Sequence, residues 1–267
     1  MKVLDERWLG VTGGVLLAAA ALCLTALFTP GQSTIRLVLN VPESRLYVYE
    51  NEQQTRKYRV SVGMEGYETP AGSYSVTHAI WNPWWHPPES DWARGREIEP
   101  PGPNNPMGRV KLHFSTLLYI HGTPETAWLG RPASRGCVRM SNHDAVELAM
   151  LLHQYSSPGV SPDLFDQILS SGQTRRIAMT RPVPFTVVYQ VAMIRDGSLF
   201  IYPDVYGAMP GELEDQVIAV LRKNGVDLRT VDRAKLQRLI EKGATRKVSM
   251  SLDTLTSTST TPAPGGN

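Results

Sequence analysis

The chain has 267 residues, 42% of them hydrophobic, and a formal net charge of +2. That length suits one domain of ordinary size with a small appendage, and a charge so near zero gives no electrostatic footprint for nucleic acid. Two cysteines, one inside an apolar run, exclude a disulfide framework and leave a free thiol that is either buried or functional.

Residues 8–28, WLGVTGGVLLAAAALCLTALF, run for twenty-one positions without a charge. This exceeds the apolar core of a cleaved leader and is long enough to cross a bilayer, so residues 1–34 read as a membrane anchor ahead of a removed signal, with the bulk of the chain exported. Cys23 follows Leu22, where lipidation needs a small residue, and reads as an apolar filler.

After Pro30-Gly31 the hydrophobic period changes to two. IRLVLNV, RLYVYE, KYRVSVG and SYSVTHAI alternate apolar and polar residues between turn-formers, as antiparallel strands do. Pro70 and Gly72 mark a turn between two of them. Residues 80–108 then break the rhythm with seven prolines and four tryptophans. Such a stretch forbids a central strand yet is too aromatic for a solvated linker, so an ordered loop over one sheet face is expected. Within it Trp84 and Trp85 are candidates for stacking on substrate, and His86 reads as a surface residue.

RVKLHF and LLYIHGT return to strand alternation and end on His121-Gly122. Sixteen residues on, SRGCVRM presents Cys137 between Arg135 and Arg139. A thiol is a weak nucleophile at neutral pH unless a base or positive charge activates it; His121 supplies the base and the arginines the charge. Gly136 allows a sharp turn that aims backbone amides at a developing oxyanion. The other readings of Cys137 are a buried small hydrophobe and a zinc site with His113, His121 and His143, for which no close ligand pair is present. Ser141 with Asp144 three residues on marks a helix start, followed by an apolar stripe through Val146, Leu148, Ala149 and Leu152. That start places a helix N-terminus close behind Cys137 and predicts a favoured thiolate.

Beyond it, residues 156–171 read as a loop with a short helical piece. PFTVVYQVAMI and SLFIYPDVYG read as strands joined at Asp196-Gly197. GELEDQVIAVLRKNG and RTVDRAKLQRLIEKG read as a helix pair, in a region where nine basic residues face three acidic ones over 221–248. Residues 249–267 are low in complexity and predict disorder.

IHGT followed by GRPASRGCVRM resembles the signature of the L,D-transpeptidase catalytic domain, the YkuD family. His121 matches the family's base and Cys137 its nucleophile, while Ser134, Gly136 and Arg139 match the surrounding loop; Arg135 stands where the family usually has a second histidine. GMEGYETPAG resembles the family's Thr-Pro-x-Gly segment, and the tryptophan-rich loop looks like the cleft insertion of the subgroup that anchors the outer-membrane lipoprotein. The expected fold is mainly β (α+β), a two-layer β-sandwich of mixed sheets with one helix after the catalytic loop and a C-terminal helix pair. The resemblance sets a catalytic domain over 35–207, a helical appendage over 208–248 and a tail over 249–267.

It implies a peptidoglycan transferase without metal or cofactor, at the periplasmic face of the inner membrane. Cys137 takes an acyl group from a tetrapeptide stem, releases D-alanine, and passes the acyl group to a neighbouring stem or a lipoprotein amine. Catalysis falls to Cys137, His121 and the Gly136 amide, and substrate binding to Gly122, Ser134, Arg135, Arg139, Trp84 and Trp85. The rival readings are an L,D-carboxypeptidase or amide hydrolase using the same residues, and a non-catalytic wall-binding module.

Overall fold

A computed structural model describes residues 34–157 and 159–256. The apolar segment with Cys23 lies outside the described residues; among those described, no helix is long and apolar enough to cross a membrane. The strands β1 (Ile35–Asn40), β2 (Arg45–Glu50), β3 (Gln53–Arg59), β4 (Val62–Gly63) and β5 (Gly72–Trp81) open the chain. β6 (Val110–Ser115), β7 (Leu118–Thr123), β8 (Pro132–Ser134) and β9 (Val138–Ser141) lead into the helices α1 (Asn142–Ser156) and α2 (Pro162–Ser171), and β10 (Arg175–Val188) follows.

Eight of these strands form one mixed sheet in the order β3-β2-β1-β10-β5-β6-β7-β9, while β4 and β8 pair beside it. Period-two alternation gives the sheet two unlike faces. In β6, Val110, Leu112 and Phe114 are buried whereas Lys111 and His113 are only partly so. The apolar face joins Leu37, Leu39, Trp81, Leu112, Ile120 and Met140 to Leu148 and Leu152 of α1 in one core cluster. Truncating one of these, such as Leu152→Ala, removes about 2–5 kcal/mol. α1 starts as expected, with the Ser141 hydroxyl accepting the Asp144 amide at 3.0 Å. The mainly β architecture, the helix after the cysteine loop and the C-terminal helix pair all hold, and the described strands form sheets of eight, three and two strands.

The C-terminal segments divide differently from the sequence reading. PFTVVYQVAMI is two strands: β10 lies parallel to β1 in the main sheet, and β11 (Ala192–Arg195) turns away to pair with β12 (Ser198–Ile201). Asp196 and Gly197 both have positive φ, as the tight turn between them requires. β12 also pairs with β13 (Val248–Ser251), and the helices α3 (Leu213–Lys223), α4 (Arg233–Gly243) and α5 (Leu252–Thr256) belong to the same unit. Leu199, Ile201, Val217, Leu221 and Leu255 form a second core there. The boundary drawn at 207 therefore falls inside this unit, and residues 249–256 are a strand and a short helix instead of disordered tail. β13 is polar and acquires its structure by pairing with β12, nearly fifty residues earlier, so local composition misleads. The short helical piece read within residues 156–171 is a ten-residue helix over Pro162–Ser171, with proline in its first turn and Gly172 in the left-handed conformation behind it.

The tryptophan-rich segment is ordered. Its first two residues, Ile80 and Trp81, complete β5; beyond them its only regular element among the described residues is a 3-10 turn at Asp91–Ala93, and the Asn105 amide ties it together by donating to the carbonyls of Pro83, Glu99 and Pro100 at 3.0, 3.2 and 2.9 Å.

Candidate active site

β7 and β9 run side by side in parallel, pairing Ile120 with Val138 and His121 with Arg139. Across β7 the antiparallel β6 sets Lys111 opposite His121 and His113 opposite Tyr119, and β5 sets His78 opposite His113. Paired residues share a face, so Lys111, His121 and Arg139 form one row on the face away from the core, and His78, His113 and Tyr119 form the next. Cys137 immediately precedes β9, and its thiol donates weakly to the Leu117 carbonyl at 3.6 Å. The sulfur also receives the Tyr119 amide and lies within the field of Arg139 and Lys111.

His121 is 3% exposed. Its Nδ1 sits 2.7 Å from the Gly122 carbonyl. A carbonyl only accepts, so Nδ1 carries the proton and Nε2 is the basic nitrogen. Burial pushes the imidazole pKa down to about 3, with Arg139 and Lys111 adding to the effect against the Gly122 hydrogen bond. Burial likewise raises the Cys137 thiol above its ordinary value, outweighing the Tyr119 amide, Arg139 and Lys111. The resting pair is thus a neutral thiol and a neutral imidazole. This corrects the expected thiolate. β9 separates the sulfur from the N-terminus of α1, whose field falls off within a turn, and desolvation exceeds what the two cations return.

The loop before the cysteine is fixed from several sides. Gly136 has φ +96°, and a Cβ there would come within 3.1 Å of Leu118, so only glycine takes the turn without strain. Its carbonyl accepts the Thr69 hydroxyl at 2.9 Å, and the same Thr69 oxygen accepts the Gly63 amide at 2.8 Å. Tyr206 adds a further tie by donating to the Gly63 carbonyl at 2.7 Å. Ser134 is fully buried and donates to the Cys137 carbonyl, which corrects its reading as a substrate contact: its hydroxyl is committed to shaping the loop. Gly122 is corrected in the same way. It is buried, its carbonyl holds His121, and a Cβ would lie 2.3 Å from Asn142 Oδ1.

Arg135 stacks its guanidinium 3.9 Å from the Trp92 ring centroid and lies 5.8 Å from that of Tyr67. It therefore joins the cysteine loop to the tryptophan-rich segment. Trp85, read as a candidate for stacking on substrate, is 7% exposed and exchanges backbone hydrogen bonds with Glu99, which corrects that reading: its ring is packed into the segment itself. Trp84 is 46% exposed and open to a ligand. Arg139 faces Glu125 at 3.5 Å with its side chain 21% exposed.

Sequence reasoning missed Thr69, Lys111 and His78. His78 stacks on His113 with ring centroids 4.7 Å apart, and the Thr77 hydroxyl contacts both rings. The Thr-Pro-x-Gly segment pointed toward Thr69, and strand alternation placed Lys111 on the His113 side of β6. Of the histidines considered as metal ligands with Cys137, His143 is exposed. Among the described residues it gathers instead with Asp144 and Glu147 on the surface of α1, apart from the cysteine.

Residues 34–160 match the family model for the L,D-transpeptidase catalytic domain, YkuD. The chain is 25% identical over 154 residues to the putative L,D-transpeptidase YkuD of Bacillus licheniformis, covering 57% of this chain and 81% of that protein. It is 32% identical over 117 residues to the probable L,D-transpeptidase ErfK/SrfK of Escherichia coli and 33% identical over 117 residues to the probable L,D-transpeptidase YbiS of the same organism. Each of these two matches covers 40% of this chain, which spans only 38% of either relative. The solved L,D-transpeptidase 3 from Mycobacterium tuberculosis aligns with a TM-score of 0.38 at 15% identity, over 58% of this chain and 61% of that one.

Proposed function

Residues 34–160 match the model of the YkuD family of L,D-transpeptidase catalytic domains, and on that match we propose that this protein transfers peptidoglycan stem peptides through an acyl-enzyme on Cys137. The observation that carries the reading is the parallel pairing of β7 and β9, which brings the His121 strand beside the cysteine and gives both residues the same cationic neighbours, Lys111 and Arg139.

The thiol sulfur attacks the carbonyl carbon of the amide between the third stem residue and the terminal D-alanine. His121 Nε2 takes the thiol proton as the carbon–sulfur bond forms, so no free thiolate is needed beforehand. The amides of Gly136 and Cys137 stabilise the oxyanion. The intermediate then collapses, the carbon–nitrogen bond breaks, and His121 returns the proton to the departing D-alanine amine. An acceptor amine attacks the thioester, loses its proton to His121 and regenerates the thiol. The bond energy of the donor amide is carried through the thioester, so the transfer consumes no nucleotide.

The acceptor amine belongs to a neighbouring stem or, following the lipoprotein-anchoring subgroup, to a lipoprotein lysine. Arg139 binds a substrate carboxylate through its planar fork, and the exposed Trp84 packs against the glycan or peptide. The apolar segment at residues 8–28 tethers the catalytic domain at the periplasmic face of the inner membrane.

Incubation with purified disaccharide-tetrapeptides, wild type against Cys137→Ala, tests this by mass analysis of the products. Wild type should release D-alanine and yield a cross-linked dimer, and Cys137→Ala neither. Release of D-alanine without a dimer, at saturating acceptor, would replace transfer with hydrolysis. Equal activity in the two proteins would remove the cysteine mechanism.

A further inference from the structure

A cavity of about 310 Å³ opens between the β1–β2 turn, the segment entering β8 and the strand ends of the small sheet. Its lining contains neither Cys137 nor His121, but it does contain Arg45, Arg59, Arg131 and Lys247 against a single carboxylate, Glu43. That carboxylate is already used. Its side chain is 1% exposed, receives both terminal nitrogens of Arg195 at 3.2 Å and the Tyr47 hydroxyl at 2.6 Å, and pairs more loosely with Lys247 at 3.7 Å. Arg45, Arg59 and Arg131 make no ion pair among the described residues.

The backbone accommodates this crowding. The Arg59 guanidinium lies against Gly130, where a Cβ would fall 2.6 Å from its Nε. The Arg131 carbonyl is pinned by the Ser61 hydroxyl at 2.9 Å. Burial and the nearby Arg45, Arg195 and Lys57 all disfavour the charged form of Lys247, with Glu43 opposing them. Gathered like charges of this kind are costly until an anion joins them.

We infer that this cavity is a binding site for a phosphate group, lined by Arg45, Arg59, Arg131 and Lys247. A phosphate brings up to two charges and three acceptor oxygens, enough to engage several guanidinium groups at once, where a carboxylate satisfies one fork. The cavity exceeds a bare phosphate in size, so the group arrives on a larger carrier, either a lipid headgroup or a soluble phosphate ester.

Titration of the full chain with inorganic phosphate at ionic strength held constant with sodium chloride reads the site by calorimetry. Saturable binding is expected, weakened about tenfold or more in the double variant Arg59→Gln/Arg131→Gln. Lys247→Gln, on a different segment, gives an independent second test, and carbapenem acylation of Cys137 reports that each variant is folded. Displacement of bound phosphate by short-chain phosphatidylglycerol held below its micellar concentration, against glycerol 3-phosphate, separates the carriers. Tighter competition by the lipid assigns the lipid headgroup, and tighter competition by glycerol 3-phosphate assigns the soluble ester. No saturable phosphate binding by the wild type, or equal affinity in both folded variants, overturns the site.

Discussion

Thr69 donates its hydroxyl to the carbonyl of Gly136 at 2.9 Å and so holds the residue before the nucleophile from a segment 67 positions earlier in the chain. The same oxygen accepts the Gly63 amide. Thr69 thereby couples the β4 end to the cysteine loop, and the Gly136 turn cannot relax without leaving two buried backbone groups unpaired. Thr69→Val keeps the volume and removes both bonds. Carbapenem acylation of Cys137, followed by intact-protein mass, should slow by about ten- to a hundredfold in Thr69→Val and recover in Thr69→Ser, at a cost of about 1–3 kcal/mol in urea stability. Wild-type acylation by Thr69→Val would show that the loop holds its shape unaided.

Alkylation of Cys137 by iodoacetamide reports the state of the thiol directly. Because burial raises the thiol above its ordinary value of 9.0, the rate should climb through the neutral range without a plateau and reach half its maximum above that value. Lys111→Met removes one of the two cations that oppose this rise and should slow alkylation at pH 8 further. A rate already flat between pH 6 and 7 would mean a preformed thiolate and would contradict the neutral pair.

That Cys137 and His121 would be brought together was legible in the sequence because residue type and order carry it: one cysteine beyond the apolar run, sixteen residues after a histidine on a strand, and β7 and β9 pair side by side. Strand alternation likewise gave both faces of β6, and the Ser141 cap gave the start of α1. What escaped was set by distance along the chain. The Nδ1 proton of His121 is fixed by a backbone carbonyl that any residue at position 122 would supply. Thr69 gains its role only once β4 and β8 pair. The partner of β12 lies beyond two helices, and the thiol's pKa depends on a desolvation that appears only when β6, β7 and β9 assemble. Arginines beside a cysteine in sequence therefore mispredicted its charge state.

Arg135 and Trp92 give a prediction about substrate handling. The stack at 3.9 Å joins the cysteine loop to the tryptophan-rich segment, and contacts of this kind contribute about 0.5–2 kcal/mol. Arg135→Lys keeps the charge but loses the planar face. If the segment helps to close the cleft, KM for tetrapeptide muropeptides should rise about three- to tenfold in both Arg135→Lys and Trp92→Ala, while kcat falls less. An unchanged KM in both would confine the stack to local packing.

His153 supplies the last prediction, for stability against pH. It is fully buried on α1, stacked on Phe165 with centroids 4.9 Å apart and near Trp81 at 6.1 Å. Its Nε2 has no hydrogen-bond partner among the described residues. Burial pushes its pKa from 6.5 down to about 4. Between those values the unfolded chain takes up a proton that the folded chain refuses, so this contribution is fully present above pH 6.5 and is lost as pH falls toward 4. The difference corresponds to about 3 kcal/mol. His78, also pushed down to about 4, and His121 act in the same direction, so the wild type should lose urea stability steeply over this window. His153→Phe keeps an aromatic ring against Phe165 and Trp81 while removing the titration. It should leave the midpoint at pH 7.5 within a modest margin of wild type and flatten, without abolishing, the loss between pH 6.5 and 4. An equally steep loss in His153→Phe would transfer the acid sensitivity to other groups.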